Sequence, residues 1–205
     1  MNNSILLFDI DYTLFNTDIF RNKIIEETLS QFKLDEKRVR QFYFEYERNI
    51  NTPVGINIKH FTEQIGKEFN LSPELLFSIM MERKRLYLES LYPDTISTLT
   101  LLSKEYTLGI FSQGYRSFQE NKLKQCGIIS YFKQEYIFIF PDKTLDSVLK
   151  TLPENALIIE DKLSVVQLIK SPLRTIHINR GKIKSTHSLS INNLVELPPL
   201  LKRLP

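Results

Sequence analysis

The chain opens on a short apolar run, Ile5 to Phe8, that stops at Asp9. An unbroken apolar run of that length, closed by acids and turn formers, predicts a strand buried on both faces of a parallel sheet. The period then changes. Phe20, Ile24, Ile25, Leu29 and Phe32 recur at helical spacing, as do Val39, Phe42, Tyr43 and Tyr46, and again Ile58, Phe61, Ile65 and Phe69. Ser72 followed by Pro73 is a strong helix start, a side-chain cap before a residue whose missing N–H costs nothing there. That fourth helix is expected to run towards Leu88. Pro93 and Asp94 end this unit and begin a helix through about Lys104.

Beyond Pro93 strands and helices alternate. Tyr106–Phe111, Tyr136–Phe140, Ala156–Ile159 and Thr175–Asn179 read as strands. Between them, helices are expected over Tyr115–Gln125, with Gly127 as a C-terminal stop, over Leu145–Leu152 and over Ser164–Lys170. A last helical segment covers Asn192–Arg203, interrupted by Pro198 and Pro199. Alternation of this kind predicts a parallel sheet covered on both faces, and right-handed crossovers narrow it to an α/β Rossmann-like sandwich. Residues 15–92 break the alternation. The expected division is therefore a core of 1–14 plus 93–205 and an inserted α-helical cap of 15–92. Ligands of open α/β sheets bind beyond the carboxyl ends of the strands, and the insertion is placed to act as a lid over that edge.

Composition narrows the setting without naming a function. The 205 residues are 42% hydrophobic and 25% charged, as in an ordinary globular protein, and 27 basic against 24 acidic residues leave a net charge of +3. No run of five or six like charges suggests nucleic acid, and the basic positions Arg180, Lys182 and Lys184 are expected to form a solvated loop. The single cysteine, Cys126, excludes an intrachain disulfide and a cysteine metal cluster. It is expected to be a small buried side chain at a helix end. With no secretory leader pattern and no apolar stretch approaching a membrane span, the expected setting is the cytoplasm, with no membrane partner.

The informative segment is LLFDIDYTLFNT, residues 6–17. Asp9 ends the first strand, and Asp11 lies two residues on. Ser112 follows the second strand, in GIFSQG, and Glu160 with Asp161 follows the fourth, in ALIIED. Turn-forming acids are common singly, but three strand ends that bring carboxylates or a hydroxyl to one sheet edge are not an ordinary coincidence.

In these residues the sequence resembles the haloacid dehalogenase superfamily, over nearly its whole length. Asp9, Asp11 and Thr13 match its first motif, Ser112 its second, Lys143 best matches the third-motif lysine, and Glu160 with Asp161 matches the acidic fourth. Lys133 competes with Lys143 for the third. The sequence departs from the pattern at Tyr12, where the family usually has Gly, at Thr144, where it usually has Pro, and after Asp161, where no second acid follows at the usual distance. The resemblance implies a phosphatase or phosphotransferase, since dehalogenase members lack the second aspartate, and it implies that the insertion is a helical cap of the family's first cap class.

The implied chemistry is hydrolysis of a small phosphomonoester. Asp9 would be the nucleophile that forms an aspartyl-phosphate. Asp11 would protonate the leaving oxygen and then deprotonate water. Thr13, Ser112, the Gln113 backbone N–H and Lys143 would hold the phosphoryl group. Carboxylates crowded beside an anionic phosphate repel, by about 4 kcal/mol per pair at 4 Å and an effective dielectric near 20. Mg2+, a hard oxygen-seeking cation, resolves that repulsion. The expected ligands are the side chains of Asp9 and Asp161 and the backbone carbonyl of Asp11, with Glu160 on a metal-bound water or, equally, as a strand-end surface acid. Two other readings stay open, a sugar-phosphate mutase and a catalytically weakened binding protein on the same fold. The aromatic stripe Phe42, Tyr43, Phe44 and Tyr46 is expected to be lid core, and His60, His177 and His187 structural or surface. The leaving group, a nucleotide or a sugar phosphate among others, and the oligomeric state are not fixed by the sequence.

Overall fold

The computed structural model describes residues 4–50, 52, 54–181 and 186–204. Its centre is a six-stranded sheet in which every pairing is parallel. The strands are β1 (Ile5–Phe8), β2 (Thr107–Gln113), β3 (Ile137–Phe140), β4 (Ala156–Glu160), β5 (Arg174–Ile178) and β6 (Ser190–Ile191), in spatial order β3-β2-β1-β4-β5-β6. The chain adds strands on one side of β1, then crosses to build β4 to β6 on the other. That reversal is the position at which open α/β sheets bind ligands, and Asp9 follows the strand at its centre.

The period of two sends alternate strand residues to opposite faces. Leu6, Phe8, Leu108, Ile110, Leu157 and Ile159 pack into one apolar cluster, and Ile5, Leu7, Phe111, Ala156 and Ile158 into another. Gly109 sits where a Cβ would come within 2.5 Å of the Tyr136 carbonyl oxygen, so the β2–β3 edge closes only around a glycine.

Among the described residues six helices stand between β1 and β2, and the first five are α1 (Thr17–Phe32), α2 (Glu36–Arg48), α3 (Ile58–Phe69), α4 (Pro73–Glu82) and α5 (Lys84–Leu88). Each of the first four starts at a side-chain cap. Asn16, Asp35, Asn57 and Ser72 accept from the N–H of Ile19, Arg38, His60 and Leu75 at 2.8–3.2 Å. Phe20, Ile24, Val39, Tyr43, Phe61, Ile65 and Ile79 share one apolar cluster with the first face of the sheet. The expected run of the fourth helix to Leu88 is broken at Arg83, whose ψ of 74° leaves the helical region. The break turns Leu86 and Tyr87 into the core. The Tyr87 hydroxyl donates to the Met80 carbonyl, and Asn121 Nδ2 donates to the Met81 carbonyl at 2.9 Å, so acceptors left open by the helix end are satisfied.

The remaining helices are α6 (Thr95–Leu102), α7 (Arg116–Gln125), α8 (Asp146–Leu149), α9 (Leu163–Leu168) and α10 (Leu197–Leu201). Gly127 takes φ 68° after α7, as the C-terminal stop requires. α8 and α9 are shorter than their apolar patterns suggested. Pro198 and Pro199 do not disrupt α10, because they lie in its first turn, where an N–H has no intrahelical acceptor. β6 was not legible as a strand. Its two residues pair with His177 and Ile178, too short a run for any periodicity. Among the described residues no helix is long and apolar enough to cross a membrane.

Arg180 is not part of a solvated loop. Its guanidinium is buried, forks onto both oxygens of Asp94 at 2.9 and 2.7 Å, donates to the Thr13 carbonyl and lies 3.8 Å over the Tyr92 ring. The same Asp94 accepts from the Leu194 N–H at 2.7 Å. Arg180 thus ties the loop after β1 to the start of α6 and to the C-terminal segment. Lys182 and Lys184 lie outside the described residues.

Candidate active site

Asp9 follows directly on β1, and its N–H donates to the Ile159 carbonyl of β4 at 2.9 Å. This hydrogen bond sets Asp9 level with the end of β4, where Glu160 and Asp161 emerge. Asp9, Glu160 and Asp161 each offer an oxygen within 4.8 Å of the others. Lys143 enters between them, with Nζ donating to Asp9 Oδ1 at 2.8 Å and to Glu160 Oε2 at 2.6 Å. The loop that presents Lys143 is shaped by Asp142, whose Oδ1 accepts from the N–H and the hydroxyl of Thr144 at 2.9 and 2.6 Å. The competing Lys133 is exposed, and only its backbone engages the sheet, through the Leu108 carbonyl.

Burial makes this arrangement electrostatically demanding. Lys143 is 1% exposed and Glu160 fully buried, so Glu160 is not a surface acid. Desolvation lowers the pKa of the Lys143 ammonium, but Asp9 and Glu160 reverse this and hold it above the usual lysine range. Glu160 is pushed up by burial and by Asp9, against the pull of Lys143, and its second oxygen accepts the Lys162 N–H at 2.9 Å. Asp161 is pushed up to about 8, first by burial and then by the charges of Asp9 and Glu160. Three carboxylates face one buried ammonium, so the cluster carries surplus negative charge in a place of low dielectric.

Three buried atoms without protein partners lie at the same place. Asp161 Oδ1, Ser112 Oγ and Thr13 Oγ1 have no hydrogen-bond partner. Each sits at a strand end or in the loop after β1, and a buried polar atom left alone is costly. Gln113 closes β2, with its side-chain oxygen 3.4 Å from the Lys143 nitrogen. The chain then turns at Gly114, φ 141°, where a Cβ would meet Gln119 Nε2 at 3.0 Å. His177 Nε2 donates to the Asp161 carbonyl at 3.0 Å and so supports the β4 end rather than a ligand. Cys126 is buried, and burial pushes its thiol up to about 12, which leaves it inert.

Asp11 has different surroundings. Lys122 Nζ reaches its Oδ1 at 2.6 Å, Gln119 Nε2 its Oδ2 at 2.8 Å, and the Thr17 hydroxyl also donates to Oδ1. Burial alone would raise its pKa, but Lys122, Gln119 and Thr17 outweigh that and hold the carboxyl down at about 2. Asp11 is therefore paired directly with Lys122. Sequence reasoning missed Gln119 and Lys122. Their signal was position, since they lie on the stripe of α7 that also buries Leu123.

Tyr12 explains a departure noted in the sequence. It takes φ 59°, a left-handed conformation in which glycine is unstrained and a bulky residue is not. Its N–H donates to the Phe15 carbonyl at 2.7 Å, and its hydroxyl donates to Asp18 at 2.8 Å, which hold the turn in place.

A family model described as haloacid dehalogenase-like hydrolase matches residues 6–164 of the chain. The chain belongs to that family. Among solved structures, it is similar to a HAD phosphatase from Thermococcus onnurineus, with 24% identity, TM-score 0.66 and coverage of 97% of each chain. A HAD-hydrolase from Bacillus subtilis, bound to magnesium, is 21% identical with TM-score 0.66, over 98% of this chain and 100% of that one. An L-2-haloacid dehalogenase from Xanthobacter autotrophicus is 16% identical with TM-score 0.62, over 98% of this chain and 99% of that one. These likenesses establish the fold. No curated protein matches the chain. For a haloacid dehalogenase-like hydrolase, the strand-tip carboxylates and Lys143 stand at the carboxyl edge of the sheet, where this fold binds its ligands.

Proposed function

We propose that this hydrolase is a Mg2+-dependent phosphomonoesterase of the cytoplasm in which Asp9 accepts the phosphoryl group. The observation that carries the reading is the buried set of Asp9, Glu160, Asp161 and Lys143, together with the unpartnered Asp161 Oδ1, Ser112 Oγ and Thr13 Oγ1. The donors fit a hard cation, being oxygens within 4.8 Å with surplus negative charge. Asp9 and Asp161 would hold it with the Asp11 carbonyl, and Glu160 would stand behind them, with both its oxygens engaged by Lys143 and Lys162. Magnesium bound there supplies charge neutralisation between the carboxylates and the phosphate.

The chain's own residues carry the rest. Asp9 attacks phosphorus, the bond from phosphorus to the leaving oxygen breaks, and that oxygen takes a proton from the Asp11–Lys122 pair. In the second half water attacks the aspartyl-phosphate, its proton returns to that pair, and the bond between Asp9 and phosphorus breaks to release phosphate. Assigning the proton to the pair extends the expectation of Asp11 as the acid and base, because Lys122 is hydrogen-bonded to it. Ser112, Thr13 and the Gln113 N–H hold phosphoryl oxygens, and Lys143 offsets the charge shared with Asp9. Residues 15–92 act as a cap over this edge. Asp11 favours phosphoryl transfer over dehalogenation.

The test is phosphate release from p-nitrophenyl phosphate. Turnover is expected with Mg2+, stops when EDTA is added, and falls at least about a thousandfold in Asp9→Asn. Turnover undiminished in that variant removes Asp9 as nucleophile.

A further inference from the structure

Two cavities lie in series on the insertion side of Asp11. The first, about 260 Å³, is bounded by Asp11 and Lys122 and, from the insertion, by Arg21 and Glu47. The second, about 610 Å³, does not touch Asp11 and lies among Phe42, Tyr46, Asn49, His60 and Gln64. The two share Gly55 and Tyr115, so they adjoin. The aromatic stripe expected as lid core is therefore divided. Tyr43 is buried in the core, Phe44 is exposed, and Phe42 and Tyr46 are half-buried against the core while also bordering the second cavity.

We propose that the substrate is a nucleoside 5′-monophosphate, with the pentose in the first cavity and the base against Tyr46, Phe42 and Tyr115 in the second. The proposal rests on the phosphomonoesterase reading and adds the leaving group to it. Its basis is the order of the chambers. A group attached at the phosphorus enters the first cavity, which Tyr12, Tyr115 and Phe118 also border, and a longer one continues to Phe42 and Tyr46 in the second, so a leaving group of two parts covers both and a bare sugar leaves the second uncovered. Tyrosine and phenylalanine rings offer a base its π-face regardless of sequence. Asn49 and Gln64, with both donors and acceptors on one amide, suit the polar edge of a heterocycle.

Tyr46 is held for this role. Its hydroxyl shares a hydrogen bond of 2.7 Å with His60 Nδ1, and its ring packs edge-on to Phe61 at 4.9 Å between centroids. Tyr46 and Tyr115 border the same cavity.

The experiment is titration calorimetry on the Asp9→Asn protein with Mg2+, using AMP, ribose 5-phosphate and phenyl phosphate as ligands. AMP is expected to bind roughly tenfold or more tightly than either of the others, the scale of one base stacked on aromatic side chains. In the same background Tyr46→Ala is expected to bring AMP to within about twofold of ribose 5-phosphate, while Tyr46→Phe keeps the preference. Tyr115→Ala, at the residue that precedes α7 and borders the cavity, should also shrink the preference and serves if Tyr46→Ala does not fold. Equal affinity for AMP and ribose 5-phosphate, a preference untouched by both alanine variants, tighter binding of phenyl phosphate, or no binding of AMP each overturns the proposal. If wild type hydrolyses all three phosphates while calorimetry shows no preference, only the base seat falls. If AMP is preferred but wild type releases no phosphate from any ester, the phosphomonoesterase reading falls.

Discussion

The two sides of the site are built on different physical terms. On the sheet side, Asp9, Lys143 and Glu160 are buried and bonded to one another, and each is set by a strand end or by a loop folded onto it. On the insertion side, the cavities are lined by half-buried and exposed polar and aromatic groups such as Tyr46, His60 and Gln64. A side chain fixed by a β register cannot move without breaking the sheet, whereas one on a helix surface can be replaced without touching the core. Chemistry common to a family suits the first environment, and selection of a particular substrate suits the second.

That contrast can be broken by mutation. The largest stability effect is expected at Lys143. Lys143→Ala leaves two buried carboxylates without their cation and should cost about 3–5 kcal/mol in chemical denaturation, together with loss of turnover. A loss below about 1 kcal/mol would mean that the cluster is far better solvated than its burial implies.

Next is the pH response of Asp161. Its folded value of about 8 lies above the ordinary carboxyl value of 3.8, so between those limits the metal-free folded protein binds a proton that the unfolded chain does not. Stability without metal therefore falls as pH rises from about 4 to about 8, and Mg2+ affinity rises over the same window as the proton leaves. Thermal unfolding with EDTA and calorimetry with Mg2+ read the two trends. A metal-free Tm that climbs steadily to pH 8 contradicts the account.

Lys122→Met should act more gently and with the opposite pH signature. Asp11 is depressed to about 2, so its pairing contributes stability that is present above pH 3.8 and lost as pH falls through 2. The Asp11 side chain keeps a quarter of its exposure, which discounts the effect to roughly 1–2 kcal/mol. The gap in stability between variant and wild type should be full at pH 6 and close as the acid limit is approached. The smallest effect is expected at Tyr12. Tyr12→Gly relieves the positive φ but loses the hydrogen bond to Asp18, a net stabilisation under about 1 kcal/mol by thermal unfolding.

Much of the sheet side could be read from the sequence, because strand ends are visible as the place where an apolar run stops. Asp9, Ser112, Glu160 and Asp161 all lie at such stops, and the structure gathers the three acids. Lys143 could be preferred over Lys133 from its place after the third strand. What escaped reading was set by tertiary packing. Gln119 and Lys122 share their helical stripe with Leu123, and nothing local shows that the space they point into holds Asp11. Arg180 looks like part of a basic tail until Asp94, 86 positions earlier, is brought against it. The helical insertion was legible as helices, from periodicity and caps, but not as a wall. Phe42 and Tyr43 are neighbours in sequence, and only helix packing decides that one borders a cavity while the other is fully within the core.

The central claim concerns a covalent bond to one residue. Wild-type protein turning over a phosphomonoester with Mg2+ should be quenched in acid, digested and mapped by mass spectrometry. The account predicts a phosphoryl group on the peptide that carries Asp9, absent from the Asp9→Asn protein. Steady turnover with that peptide unmodified, and the label on another residue, contradicts it.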